Sequence, residues 1–186
     1  MVTSGKSSKY LFIDDATKDV ILTVTKNGYI KKTSRKDYKN TTKLCKVKEG
    51  DKLMYAFSCN NDAMAVFWLE NDKAKVIPVA EIKDMGKLTL GKKLLKDANI
   101  LGVFIAEGED LFYTINDKGQ AKVCPVKELG FSTVNITPNS RFVGLVSSPM
   151  FYLNNGKMKR VEWSKYSPKG KTAVGAILDN QISNIG

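Results

Sequence analysis

Four lysines recur at one spacing. Lys31, Lys75, Lys122 and Lys159 each stand three residues after a turn-forming position (Gly28, Asp72, Gly119 and Gly156), and those anchors are 44, 47 and 37 residues apart. Ammonium groups set at intervals along a surface neutralise phosphates and release the counterions condensed on a polyanion. The whole chain carries charge of the right sign: 30 Lys and Arg against 19 Asp and Glu give +11, and all but three of the 30 are lysine. Further basic clusters run through Lys31, Lys32, Arg35, Lys36, Lys39, Lys43 and Lys46, through Lys87, Lys92, Lys93 and Lys96, and through Lys157, Lys159, Arg160, Lys165, Lys169 and Lys171. Only Asp37 and Glu162 interrupt them. No basic amphipathic helix is visible, which favours nucleic acid over a membrane surface as the polyanion. With so few arginines, bidentate reading of guanine edges is poorly supported, and binding is expected to be largely independent of base sequence.

Other chemistry is thinly provided. The chain has no histidine, which removes Ser-His-Asp and Cys-His catalysis. Cys45, Cys59 and Cys124 are odd in number and lack CxxC spacing, so neither a disulfide framework nor a zinc site is indicated. Asp14-Asp15 and Glu107, Glu109 and Asp110 sit beside turn formers and read as solvated loops. The expectation is a domain without catalytic residues, metal or cofactor. No apolar run approaches the roughly 20 residues of a membrane span, and the N-terminus lacks a signal-peptide core. A cytoplasmic location is expected.

Positioning such lysines falls to a repeated unit. Val20–Lys31, Met64–Lys75, Leu111–Lys122 and Met150–Lys159 each give a β-rich apolar run, a polar turn with Asn, Asp or Gly, and a second run of alternating character. That is a hairpin signal. Two residues after the anchors come Ile30, Ala74, Ala121 and Met158; ten residues after come Tyr38, Ile82, Leu129 and Tyr166. A period in the forties with several short strands per unit marks radial blade architectures. Linking strands begin near Gly50, Asp97 and Asn139, ahead of the second, third and fourth hairpins, and Lys9–Ile13 plays that part before the first. A terminal strand at 172–178 is expected to close a ring on the first blade, hiding a sheet edge. Val79–Ile82 is at most one turn of helix. The fold class is all-β: a disc of about four four-stranded blades over 9–180, with hairpins near 20–38, 64–82, 111–129 and 150–166 and short tails at 1–8 and 181–186.

Thr23-Val24-Thr25-Lys26-Asn27-Gly28-Tyr29-Ile30-Lys31-Lys32-Thr33 resembles the blade signature of the C-terminal domain of bacterial type IIA topoisomerase A subunits (DNA gyrase and topoisomerase IV). Lys48-Glu49-Gly50-Asp51-Lys52-Leu53 is similar to the turn that opens that family's next blade. The resemblance extends over all four repeats, with Asp72 in place of the turn glycine in the second. It implies a β-pinwheel that binds duplex DNA around a positive rim and bends it. It also implies, as partners, the cleavage core of the same A subunit, where the catalytic tyrosine lies, and the ATPase B subunit, in a nucleoid-associated setting. The gyrase box Gln-Arg-Arg-Gly-Gly-x-Gly is absent, and the nearest stretch is Ser167-Pro168-Lys169-Gly170-Lys171, so the likeness is to topoisomerase IV more than to gyrase. Four blades are recognisable where five or six are usual.

Strand alternation places Ile30, Ala74, Ala121 and Met158 inward and the recurring lysines outward. The expected DNA-binding set is therefore Lys31, Lys32, Arg35, Lys36, Lys75, Lys92, Lys93, Lys122, Arg141, Lys157, Lys159, Arg160, Lys169 and Lys171. Trp68 and Trp163 read as packing residues before base-stacking platforms. A second reading is a propeller-like interaction module whose basic face docks an acidic partner.

Overall fold

The computed structural model describes residues 11–38, 43–70, 72–96, 99–116, 120–136, 140–146, 150–153, 158–160, 176–177 and 182–184. A short strand β1 (Leu11–Ile13) precedes the first repeat, which supplies β2 (Val20–Thr25), β3 (Tyr29–Ser34), a 3-10 turn at Arg35–Tyr38 and β4 (Leu53–Cys59). The second repeat supplies β5 (Met64–Leu69), β6 (Lys73–Pro78), a 3-10 turn at Val79–Glu81, the two-residue β7 (Lys92–Lys93) and β8 (Ile100–Ala106). The third repeat has β9 (Leu111–Asn116), β10 (Gln120–Pro125), a 3-10 turn at Val126–Glu128, β11 (Ser132–Asn135) and β12 (Ser140–Val146). In the fourth are β13 (Met150–Leu153), β14 (Met158–Arg160), β15 (Ala176–Ile177) and β16 (Ile182–Asn184). No α-helix occurs among the described residues.

The hairpins form where the turn chemistry demands them. Gly28 adopts φ +79°, and its N–H donates to the Thr25 carbonyl at 3.1 Å, closing the loop between β2 and β3. Gly28 also lies so close to the next repeat that an added Cβ would sit 2.4 Å from the Leu95 carbonyl oxygen. In the second hairpin Asp72 takes φ +55°. The residue that replaces glycine at the anchor thus keeps the left-handed backbone, which Asp tolerates better than most side chains.

Four sheets result, with strand orders β1-β4-β2-β3-β7, β8-β5-β6-β11, β12-β9-β10-β15 and β16-β13-β14. The linking strands β4, β8 and β12 pair with the hairpins before them, β2, β5 and β9, and β16 pairs with β13. The outer edges of the first three hairpins are completed from the following repeat. β7 pairs with β3 (Tyr29 opposite Lys93), β11 with β6 (Thr133 opposite Lys75) and β15 with β10 (Ala121 opposite Ala176). The strand at 176–177 therefore joins the third sheet, and the expected closure on the first sheet is corrected. The open N–H and C=O groups of β10 offer it the same edge that β3 and β6 offer their partners. On the first sheet the inner edge is covered instead by β1, parallel to β4.

β4 contacts β8 and β8 contacts β12, so these strands converge on a common centre and β7, β11 and β15 lie at the far, outer edges. Between the first two sheets a core gathers Val20, Leu22, Val24 and Ile30 against Ala65, Phe67, Leu69 and Ile77. Between the second and third, Val66, Ala74, Val76 and Val134 meet Phe112 and Val126, and Trp68 packs half-buried against that cluster. β5 thus sends alternate side chains into two different cores. The first sheet has no sheet before it, and its free face is covered by Leu44 and Cys45 packed on Leu53, Ala56, Phe12 and Tyr38.

Candidate nucleic-acid interface

Covering both faces of each sheet decides where the lysines go. All six residues of β2 are buried, as are Ile30 through Thr33 of β3. Alternation puts Ile30 towards the second sheet and Lys31 towards the opposite face, but that face is closed by the 43–48 connection. Lys31 is 1% exposed. Its ammonium donates to the carbonyls of Leu44 at 2.9 Å, Lys87 at 2.6 Å and Gly86 at 3.4 Å, and it lies 5.8 Å from the Tyr38 ring centroid. Burial holds its pKa below the usual lysine value. Lys122 is 0% exposed and donates to the Asn135 carbonyl on β11 at 2.7 Å, tying the third sheet to the edge strand of the second. Lys32 is also buried, its ammonium 2.8 Å from Asn61 Oδ1 and 3.7 Å from an Asp84 oxygen.

For Lys31, Lys32 and Lys122 the expected outward placement is thus corrected. Strand alternation yields a solvated position only where one face of the sheet is wet, and these faces are covered. Lys75, the matching residue of the second repeat, is half-buried. Its ammonium sits 4.4 Å from the Phe131 ring centroid and 3.4 Å from Thr133 Oγ1. Arg35 is half-buried and internally engaged: it donates to the carbonyls of Lys18 at 2.8 Å and Asp15 at 2.7 Å, and to the Asp14 carboxylate. That hydrogen bond is the main reason the Asp14 carboxyl titrates below the ordinary aspartate range.

Lys36, Lys92 and Lys93 are exposed. The last two form β7, at the outer edge of the first sheet. Arg141 lies on β12, and Lys159 and Arg160 on β14; Lys157, Lys169 and Lys171 lie outside the described residues, as do Tyr166 and Trp163. Exposed lysines that the repeat did not single out include Lys26, Lys48, Lys52, Lys73, Lys83 and Lys127. Lys48 stands over the Tyr29 ring at 4.8 Å. Several of them sit in turns beside Gly or Asp, a local signal independent of the repeat register.

Asp15, Glu107 and Asp110 line a groove with Ile13, Phe57, Val103 and Ile105 where the first two sheets converge, and Glu107 is paired with Lys18. Cys59, near this junction, is fully buried with its thiol pushed up to about 12 by loss of solvent, and Cys45 is buried and raised for the same reason. Among the described residues no group of three His, Cys, Asp or Glu could hold a metal ion, and no helix is long and apolar enough to cross a membrane.

Sheets stacked about a centre, the first three finished at the outer edge by a strand from the next repeat, define a β-propeller of the pinwheel kind. The chain belongs to the DNA gyrase C-terminal domain, β-propeller family, whose model matches residues 19–60, 70–106 and 154–178. A crystal structure of the C-terminal domain of DNA topoisomerase IV is similar at TM-score 0.59 and 14% identity, over 94% of this chain and 63% of that one. A DNA gyrase A C-terminal domain gives TM-score 0.60 at 18% identity, over 97% of this chain and 70% of that one. The E. coli ParC C-terminal domain gives 0.56 at 13%, over 86% and 71%. This chain thus spans just under two thirds of the topoisomerase IV domain's length. At these identities the likeness is one of fold, and it is equally good to gyrase and topoisomerase IV domains. No curated protein matches the chain by sequence.

Proposed function

We propose that this chain is a non-catalytic domain that binds duplex DNA along its outer edge and bends it, as part of a type IIA topoisomerase A subunit. The observation that carries the reading is the exposed lysines of the outer edge and the connections, on a family fold of net charge +11. Lys92 and Lys93 stand exposed on an exchanged outer strand, with exposed Lys36, Lys46, Lys48 and Lys83 elsewhere on the connections between strands. Three acidic groups, Asp15, Glu107 and Asp110, line the inner groove, while Asp37, Glu49 and Asp84 stand exposed beside Lys36, Lys48 and Lys83. A duplex lying across the outer edges meets the lysine pair of β7 on a chain of net charge +11, and phosphate neutralisation then supplies affinity without base reading. In this reading the domain presents DNA to the cleavage core of its own subunit, with the ATPase subunit as the further partner. The absence of a gyrase box from these 186 residues favours binding and bending over active wrapping, in the manner of topoisomerase IV.

Fluorescence anisotropy of a labelled linear duplex, titrated with the chain over a series of salt concentrations, tests this. Binding should be indifferent to sequence and weaken with salt at a slope of about −0.9 per phosphate contacted. No binding at low salt would sink the reading.

A further inference from the structure

Two exposed apolar side chains, Leu88 and Phe131, stand shortly before the outer strands β7 and β11, and a third, Val47, lies on the neighbouring connection before β4. Val47, Leu88 and Phe131 are 38%, 57% and 56% exposed, and each lies on the connection that follows the 3-10 turn of its repeat. Each is framed by lysine. Val47 stands between the exposed Lys46 and Lys48. Leu88 sits in the tight turn closed by the Thr89 N–H on the Gly86 carbonyl at 3.1 Å, just ahead of Lys92 and Lys93. Phe131 has the Lys75 ammonium over its ring.

Val47 and Leu88 belong to one platform. The Lys46 N–H donates to the Thr89 carbonyl at 3.4 Å, and from inside the Lys31 ammonium grips Leu44 on one connection and Gly86 and Lys87 on the other. The buried lysine of the repeat is therefore a positioning residue for a surface that carries both apolar and cationic groups.

We propose that Val47 with Leu88 on the first blade, and Phe131 on the second, are the apolar contacts of the DNA track. They pack against deoxyribose faces in the minor groove while the flanking lysines take the phosphates on either side. Proteins that bend duplexes commonly lodge apolar side chains in the minor groove, opening or unstacking base steps there. Solvation alone gives no reason for a leucine and a phenylalanine to stay exposed ahead of two successive outer strands. A single exposed apolar residue needs no explanation; the recurrence and the lysine frame do.

This rests on the DNA-binding reading, and its test separates the two. The substitutions Leu88→Ser and Phe131→Ser together are made in the chain, with thermal unfolding as the control, since exposed sites should leave stability nearly unchanged. Affinity for an end-labelled duplex and its end-to-end distance by energy transfer are then measured against salt. The double variant should bind roughly tenfold more weakly and bend the duplex less, with the salt slope unchanged because no phosphate contact is lost. The apolar exchange Leu88→Met with Phe131→Tyr should keep the bend. If the serine variant binds and bends like the native chain, the apolar track is wrong and the DNA reading stands. If its salt slope falls with its affinity, the substitutions have disturbed the lysines and the track is again wrong. If the native chain binds no duplex, both ideas fall.

Discussion

Lys31 and Lys92 belong to the same sheet, carry the same group and sit on paired strands, yet one is sealed and the other is open to solvent. The difference is which connection passes over them. Lys31 lies beneath the 43–48 connection and gives its three donor hydrogens to main-chain carbonyls. Lys92 lies exposed on the edge strand itself, the last strand of the sheet among the described residues. Sequence position alone made the first look like the ligand-binding residue. The structure makes it the staple that shapes the surface, and leaves the second available to a phosphate.

That contrast can be broken most forcefully at Lys31. Lys31→Met removes the donor from three carbonyls and should lower unfolding stability by about 3 kcal/mol, within the range for buried groups left unsatisfied. Denaturant melts measure this. If stability is unchanged while duplex affinity of the folded chain falls, Lys31 is a ligand after all and the contrast fails. The reverse pattern is expected at the edge. Lys92→Glu with Lys93→Glu should leave the melt within about 0.5 kcal/mol of native while cutting the salt slope of duplex binding by about 1.8, two phosphates at 0.9 each. The smallest effect sharpens the contrast by pH. The unfolded chain holds the Lys31 proton up to the ordinary value of 10.5, and the folded chain releases it earlier because burial disfavours the charge. The unfolded state then binds more protons between the lowered folded value and 10.5. Stability from this site is therefore fully present above 10.5 and lost as pH falls through the folded value, with a slope below about 1.4 kcal/mol per pH unit. Lys31→Met should flatten that component; an identical pH profile would show that Lys31 does not contribute it.

The hairpins were legible because their signals are local. Gly28 and Asp72 mark turns, and the apolar runs on either side have strand length. The exchange of edge strands was not. β7 is two lysines long and has no pattern of its own; only its pairing with Tyr29 and Ile30 makes it a strand. The buried lysines were misread for a related reason. Period-2 alternation tells which residues share a face, and correctly separated Ile30 from Lys31, but it cannot tell that a connection will roof the second face. The exposed sites at Val47, Leu88 and Phe131 lie outside any periodic segment, so no alternation rule addressed them.

The exchanged strands also set an order of assembly during synthesis. The first sheet lacks its outer edge until Lys93 has been made, the second until Asn135 and the third until Ile177. None of these three blades finishes alone; each waits for its successor to leave the ribosome, with its edge open to any passing strand in the interval. A nascent chain halted between repeats therefore ends on an unfinished sheet, and the wait is part of what the architecture demands of the cell that makes it.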